Sequence, residues 1–329
     1  MNILAIRLAR FGDVVLLLPA LTALKSTVPR SRITFLTDHR LASLAEMCPA
    51  IDDIIAVDRI AMRDGARLAS LGIMRDVIQD VRHRHFDLAI DFHGFRETNL
   101  LTWLSGAPRR LGLKRFDQSF LNFCFNLPPV LENKNIHVAE MFMKVVEGFG
   151  AGGSSTSPAM VIPETSRVWL KSNLAPRPYA AFYVDAPTSK RIWPPESFAA
   201  VADHLAGQCG LEVVLISGPE GRPLLKRIQE ALKSTDHIRA FSTLAIPQLA
   251  AIVQAAQIWI SNDTGPMHLG PILGVPTLGL FSIGLPEHFR PTGANDRFIL
   301  ANPIERIQVG EVIETVEKIR SMGRPDPRH

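Results

Sequence analysis

Asp13 and the run Ser261-Asn262-Asp263-Thr264-Gly265-Pro266 are the residues of this 329-residue chain whose types and spacing point most directly to chemistry. Ile258 to Ile260 read as a buried strand, Thr264 as an N-cap, and Gly265 and Pro266 as the first residues of a helix. Unpaired N–H groups at such a helix start, with the positive end of the helix dipole, favour a dianionic phosphate without calling on a metal. At the other end of the chain, a strand over 2–7 leads through Leu8-Ala9-Arg10-Phe11-Gly12-Asp13 into an apolar helix. A carboxylate then stands just beyond the carboxyl end of a first strand, where open α/β sheets place their chemistry. Asp is also a favoured N-cap type, so a plain capping role stands beside the catalytic one for Asp13.

The elements that must position these residues alternate between strand and helix, the pattern of parallel sheets with helical crossovers. In the first half, strands are expected over 2–7, 32–37, 54–57, 88–91 and 110–113, with helices over 13–26, 67–82, 97–104 and 138–149. In the second half, strands over 179–184, 212–217, 238–241, 258–261 and 277–281 alternate with helices over 195–206, 222–232, 246–254 and 265–273. The spacing predicts two doubly wound, Rossmann-like α/β domains, at 1–160 and 161–329. Gly150 to Pro158, a stretch rich in Gly and Ser, reads as a flexible linker near the boundary and as part of a hinge. A short helix over 166–173 follows it. The amphipathic last helix, over 309–322, is free to pack on either domain, back on the N-terminal one included.

Composition bounds the rest. A hydrophobic content of 47% suits a folded protein with two cores, and the formal charge of +4 is only mildly basic. Arg82, Arg84, Arg109, Arg110, Lys114 and Arg115 form short basic clusters that would suit an anionic acceptor or membrane surface if they gathered on one face. They are not interleaved with aromatics, which speaks against single-stranded nucleic acid as a partner. Cys48, Cys124 and Cys209 are far apart and odd in number, a pattern of neither a disulfide framework nor a metal cluster. No signal peptide and no apolar run long enough to span a bilayer is read, so a cytoplasmic protein is expected, in peripheral contact with the inner face of the membrane. No Walker A sequence occurs, and Gly218-Pro219-Glu220-Gly221 is not a dinucleotide fingerprint.

Three motifs taken together carry a family resemblance. Arg10-Phe11-Gly12-Asp13 with the apolar run through Pro19-Ala20-Leu21, Lys190-Arg191 before Trp193-Pro194, and Asn262-Asp263-Thr264-Gly265-Pro266-Met267-His268 resemble, in order and spacing, the ADP-heptose:lipopolysaccharide heptosyltransferases of glycosyltransferase family 9. The resemblance implies a GT-B fold, with an acceptor-binding N-terminal domain and a donor-binding C-terminal domain facing across a cleft. It implies an inverting transfer without a bound metal and with no cofactor, an ADP-sugar serving as donor substrate and a lipid-linked oligosaccharide as acceptor. The absence of any Asp-x-Asp triplet agrees with a metal-free diphosphate site.

Sugar transfer from a nucleoside diphosphate needs a base for the acceptor hydroxyl and stabilisation of the departing diphosphate. Carried onto this chain, the resemblance makes Asp13 the base, with Arg10 and Gly12 beside it on the acceptor side. It assigns Asp263, Thr264, Gly265 and Pro266 to the donor box, where Asp263 shapes the turn and backbone N–H groups meet the diphosphate, with His268 lining the same site. A family lysine two residues before Trp-Pro falls at Arg191, with Lys190 one residue further back, so either cation is a candidate for the leaving diphosphate. Thr188 and Ser189 offer hydroxyl donors in the same loop. Glu220 falls where the family holds the ribose, and the purine is expected near Thr243 and Leu244. Another GT-B enzyme, such as a different glycosyl transferase or a sugar-nucleotide epimerase, and a non-catalytic binder are the alternatives; an intact Asp13 argues against the binder.

Overall fold

The computed structural model describes residues 1–64, 67–152 and 158–323. The chain divides into two units, Met1–Val161 and Ile162–His329. Part of the expected linker, residues 153–157, lies outside the described residues.

The first unit is built on six parallel strands: β1 (Asn2–Ile6), β2 (Arg32–Asp38), β3 (Asp53–Val57), β4 (Leu88–Asp91), β5 (Arg109–Lys114) and β6 (Val130–Leu131), in the order β3-β2-β1-β4-β5-β6. Helices cover both faces, so the central strands carry uninterrupted apolar runs; Ile3, Leu4, Ala5 and Ile6 have no exposed surface. The helix Phe11–Thr27 is buried over nearly its whole circumference, from Val14 through Leu18 and on to Leu24, and packs against the helix Val138–Glu147. An all-apolar helix of this kind belongs in an interior.

The second unit repeats the plan with β7 (Tyr179–Tyr183), β8 (Glu212–Ile216), β9 (Ile238–Phe241), β10 (Ile258–Asn262), β11 (Thr277–Phe281) and β12 (Arg297–Leu300), in the order β12-β11-β10-β7-β8-β9. Read from its own first strand, this is the same 3-2-1-4-5-6 order as the first unit. Both units are therefore Rossmann-like, and together they make a GT-B architecture. Phe182, Trp193, Phe198, Leu215, Ile260 and Leu280 form the centre of its core, and Val312, Val316 and Ile319 of the helix Val309–Ser321 close it from outside. That last helix packs on the helix Pro195–Cys209 of the same unit.

In each sheet the strand order reverses between the first and fourth strands of the unit, β1/β4 and β7/β10, and the crevice beyond their carboxyl ends is the natural seat of a ligand. The register puts Ile6 beside Asp91 and Ser261 beside Tyr183 at those ends. Expected and observed elements differ in two informative ways. Edge strands β6 and β12 were not expected: β6 spans only two residues, and β12, although Phe298, Ile299 and Leu300 are apolar, is exposed at three of its four positions. The helix expected over 265–273 is a 3-10 turn, Gly265–His268, followed by one α-turn, Leu269–Ile272. Pro271 lacks the N–H group that a continuous α-helix would use there. Gly270 lets this segment press on β11, because a Cβ there would lie 2.0 Å from the Thr277 hydroxyl.

The basic clusters do not gather on one face. Arg109 and Arg110 stand at the start of β5, while Lys114 ends it and Arg115 follows, one strand length away. Arg84 is held by Asp53 and Asp80, near the amino ends of the strands.

Trp193 has no exposed surface and donates from Nε1 to the Ile307 carbonyl at 3.1 Å, so it fastens the loop after β7 to the segment leading into the last helix. Trp193→Ala is expected to cost about 3–5 kcal/mol of unfolding free energy in urea titrations, as for other large core truncations.

Candidate active site

In the first unit, the end of β1 delivers Arg7 beneath the surface, its side chain only 5% exposed. A guanidinium cannot give up its proton at such a place, so it must be paired and hydrogen-bonded. One terminal nitrogen donates to the Phe92 carbonyl beyond β4 and the other to Asp13 Oδ1, each at 2.6 Å. The face of the guanidinium lies 4.9 Å from the centre of the Phe142 ring.

Asp13 is the third residue of the helix Phe11–Thr27, whose N-cap is Arg10. From there its carboxylate also accepts from the Arg10 backbone N–H, the reaching-back half of a capping box. Thus the capping role and the reactive position coexist in one residue, and the N-cap itself is Arg10. Burial pushes the Asp13 carboxyl up, but the Arg7 charge and hydrogen bond and the Arg10 N–H outweigh it, leaving the pKa below the ordinary 3.8. Asp13 is a fully ionised acceptor at neutral pH. Gly12 is buried, and the Arg10 residue is exposed.

The end of β4 completes the site with residues that the sequence reasoning passed over. Asp91, wholly buried, accepts the backbone N–H groups of His93 and Gly94 at 2.8 and 2.9 Å on one oxygen and Asn99 Nδ2 at 2.8 Å on the other. This ring of donors fixes the turn Phe92-His93-Gly94. Gly94 sits at φ +73°, and a Cβ there would come within 2.4 Å of the Leu113 carbonyl, so the turn requires glycine twice over. The His93 ring, buried and tilted against Phe95 with centroids 4.2 Å apart, has an Nδ1 without a hydrogen-bond partner. Burial first, then the positive charges of Arg7 and Arg115, push its pKa down to about 3. Arg115, just past β5, faces Glu132 at 3.4 Å, and Glu132 in turn accepts the Phe116 N–H at 3.1 Å. An ionised carboxylate, a neutral imidazole and two guanidinium groups thus gather at the switch point. A signal for His93 was present in the run Asp91-Phe92-His93-Gly94 after a strand, but only the β1/β4 pairing reveals its neighbour Asp13.

In the second unit, the loops after β7, β8, β10 and β11 converge at the corresponding edge. Asn262 ties two of them together, donating from Nδ2 to the Val184 carbonyl at 2.7 Å and accepting the Trp193 N–H at 3.2 Å. Asp263 is buried, which pushes its pKa up against the pull of Arg191, whose guanidinium stands 3.2 Å from Oδ2. Arg191 also reaches the Asp263 carbonyl at 3.4 Å. Asp263 therefore holds the cation, a stronger task than shaping the turn as the sequence had suggested. Its other neighbour is Gly284 after β11, where a Cβ would lie 2.2 Å from Oδ2.

Thr188, the N-cap of the 3-10 turn Ser189–Arg191, has no side-chain cap bond, and Thr188, Ser189 and Lys190 are exposed. Lys190 is anchored by its backbone carbonyl, which accepts from the Ser282 hydroxyl at 2.5 Å. Thr264 is the N-cap of Gly265–His268, again with no side-chain cap bond, and Pro266 is buried beneath. His268 is 5% exposed, so it belongs to the packing under the loop rather than to an open wall. Glu220 is exposed in the 3-10 turn Pro219–Gly221 after β8. Asp185, unremarked in the sequence, stands against that turn: Cβ atoms at Gly218 and Gly221 would lie 3.3 and 2.7 Å from its Oδ2. Thr243 and Leu244 follow β9 at the same edge.

Residues 74–313 match the family described as glycosyltransferase family 9 (heptosyltransferase). The chain belongs to that family. Lipopolysaccharide heptosyltransferase 3 of Escherichia coli is 22% identical over 292 residues, covering 86% of this chain and 84% of its own. The structure of a family 9 glycosyl transferase from Veillonella parvula superposes with a TM-score of 0.83 at 24% identity, covering 97% of this chain and 96% of that one. That of the E. coli ADP-heptose lps heptosyltransferase II gives 0.82 at 18% identity, with 97% and 98% covered. This family 9 protein is accordingly a glycosyltransferase, and the switch point of each unit is a candidate functional site.

His93 yields a pH signature whose sign is fixed. Its folded pKa lies far below the unfolded value of 6.5, so the unfolded chain takes up a proton that the folded site refuses. Stability is therefore lost through this group as pH falls from 6.5 toward 3, and His93→Gln should reduce the slope of unfolding free energy against pH in that window. In NMR titrations the wild-type ring is expected to remain neutral down to about pH 3; a midpoint near 6.5 would contradict the buried, cation-flanked site.

Proposed function

We propose that this family 9 enzyme transfers a heptose from ADP-heptose to the inner core of lipopolysaccharide, with inversion and without a metal, and with Asp13 as the general base. The observation that carries the reading is the ionised Asp13 carboxylate, held by buried Arg7 at the β1/β4 switch point of the first unit. A proton-accepting group there suits activation of an acceptor hydroxyl, and the first unit is assigned the acceptor. The names of the relatives supply the sugar, the nucleotide and the acceptor class.

The second unit is assigned the donor. Lys190, Thr188 and Ser189 present an exposed cation and two hydroxyl groups beside the Gly265 turn, where Pro266 has no N–H and the Met267 N–H is bonded to the Thr264 carbonyl at 3.1 Å, so the side chains are assigned most of the diphosphate's charge. Arg191 is already paired with Asp263, so Lys190 is the more available cation for the leaving diphosphate, with Arg191 behind it. Glu220 is assigned to the ribose hydroxyls.

In the reaction the acceptor oxygen forms its bond to the anomeric carbon as its proton passes to Asp13. The bond from that carbon to the diphosphate oxygen breaks, and the electron pair leaves with ADP. Attack from the side opposite the departing group inverts the centre. Nothing in this sequence of bonds requires a metal if Lys190, Arg191 and the backbone N–H groups take up the charge of the diphosphate.

A lipid-linked acceptor is met at a membrane surface. No described helix is long and apolar enough to cross a membrane. The exposed Trp103 and Phe123, in edge-to-face contact, lie beside Arg110, which donates to the Cys124 carbonyl at 2.8 Å. The exposed aromatic pair is what supports peripheral contact with the cytoplasmic face of the inner membrane, since the scattered basic clusters do not and Arg110 is spent on backbone carbonyls.

Asp13→Asn is expected to lower kcat by about 10²–10⁴-fold while leaving donor affinity within a factor of about two. Equal losses in turnover and in ADP binding would assign Asp13 a structural role instead. Calorimetric titration with ADP, UDP and GDP in EDTA checks the donor side. Selective ADP binding, weakened at least about tenfold by Lys190→Ala, is the expected result. A preference for UDP or GDP, or a need for Mg²⁺, would overturn the ADP-sugar and metal-free assignments.

A further inference from the structure

Apart from both switch points, the second unit brings three metal-binding side chains together. His204 lies on the helix Pro195–Cys209, Cys209 is the last residue of that helix, and Glu317 comes from the facing helix Val309–Ser321. One donor atom of each, an imidazole nitrogen, the thiol sulfur and a carboxylate oxygen, lies within 4.8 Å of the other two. We propose that His204, Cys209 and Glu317 form a zinc site that joins the last helix of the second unit to the helix Pro195–Cys209.

The donor set selects the ion. A thiolate, an imidazole and a carboxylate suit borderline-soft Zn²⁺, whereas Mg²⁺ and Ca²⁺ ask for oxygen ligands alone. Zinc bonds of about 2.0–2.3 Å in a tetrahedron separate the ligand atoms by roughly 3.3–3.8 Å. His204 Nε2 and Glu317 Oε1 already stand 2.9 Å apart, joined by the hydrogen bond that a metal would replace. The longest separation allowed by the 4.8 Å bound needs about 1 Å of closure, within reach of side-chain rotation. Water takes the fourth position.

Charge and access agree with this assignment. Binding displaces the Cys209 thiol proton to solvent, and the resulting thiolate with the Glu317 carboxylate balances the two positive charges of the ion. The His204 and Glu317 side chains are 24% and 52% exposed, so the ion has an entry path. His204 also lines a cavity of about 880 Å³, together with Glu196, Asp203, Gln208, Lys233 and His237. The sequence reading discounted a metal cluster because the cysteines are scattered; the ligands converge only when residues 204 and 317 meet through the packing of two helices.

Metal-free full-length protein, prepared by chelation and dialysis, is titrated with Co²⁺ and then with Zn²⁺. One Co²⁺ per chain should bind with a near-ultraviolet thiolate-to-cobalt charge-transfer band, and Zn²⁺ should abolish the band and raise the Tm. Cys209→Ser should remove the band, while His204→Ala and Glu317→Gln each weaken Zn²⁺ binding at least about tenfold. ADP binding in EDTA should be the same in wild type and variants, which separates this site from the donor site. Absence of the band in wild type, its persistence in Cys209→Ser, or Zn²⁺ affinity unchanged in Glu317→Gln would overturn the proposal. Glu317 is exposed and unneeded for the core, so its variant keeps the test decisive even where Cys209→Ser or His204→Ala fails to fold.

Discussion

A permanently charged guanidinium under the end of the first strand sets the terms for the N-terminal unit. Arg7 cannot be neutralised, and leaving it unpaired in that position would cost several kcal/mol. The chain answers with a carboxylate from the next helix, a carbonyl from beyond β4 and an aromatic face from the helix Val138–Glu147. Each partner comes from a different element, so the pair locates those elements relative to one another. Asp13 is therefore held in place from two sides, by Arg7 and by the Arg10 backbone N–H at its own helix start. A carboxylate fixed this way loses little freedom when a hydroxyl approaches, which is the kind of positioning that acid–base chemistry rewards.

Holding Asp13 also limits it. The same charges that keep it ionised lower its proton affinity, so it is a weak base in the resting protein. A weak base is adequate when the acceptor hydroxyl becomes acidic only as its bond to the sugar forms, because the proton moves late. His93 adds to this arrangement without adding charge. Burial and the two neighbouring guanidinium groups keep the ring neutral, and it presents an unpartnered Nδ1 instead of a third cation beside Asp13.

The fold was legible in the sequence because parallel sheets bury their central strands on both faces. The strands expected over 88–91 and 277–281 coincide with the interior strands β4 and β11, where such runs are bounded by polar or glycine-containing turns, and the partly buried edge strand β9 coincides with the one expected over 238–241. The edge strand β6 escaped because two residues carry no periodic signature, and β12 escaped although its run Phe298-Ile299-Leu300 is apolar. Asp13 and the 262–268 box were visible because each lies in a strand–loop–helix segment whose residues carry the family resemblance. Asp91 and His93 were not, and Arg115 was read only as part of a basic cluster, since their relation to Asp13 depends on β4 lying beside β1 and β5 beside β4, which is a fact of topology rather than of spacing. The pairing of Arg191 with Asp263 was hidden for the same reason: 72 residues separate them, and β10 beside β7 brings them together.

The two switch points show how one topology supports opposite electrostatic tasks. In the first unit the cation is buried and the carboxylate is the more exposed partner, 5% against 25%, so the group offered outward is a proton acceptor. In the second unit the order is reversed: Asp263 is 8% exposed and Arg191 is 32%, so the group offered outward is positive. The buried member of each pair orients its partner and keeps it from collapsing into the interior. An outward carboxylate suits a hydroxyl that must lose a proton, and an outward guanidinium beside the exposed Lys190 suits a diphosphate that must leave with its charge. The division of labour proposed for the units would thus rest on which partner of each ion pair the strand ends bury, with the same strand order serving both.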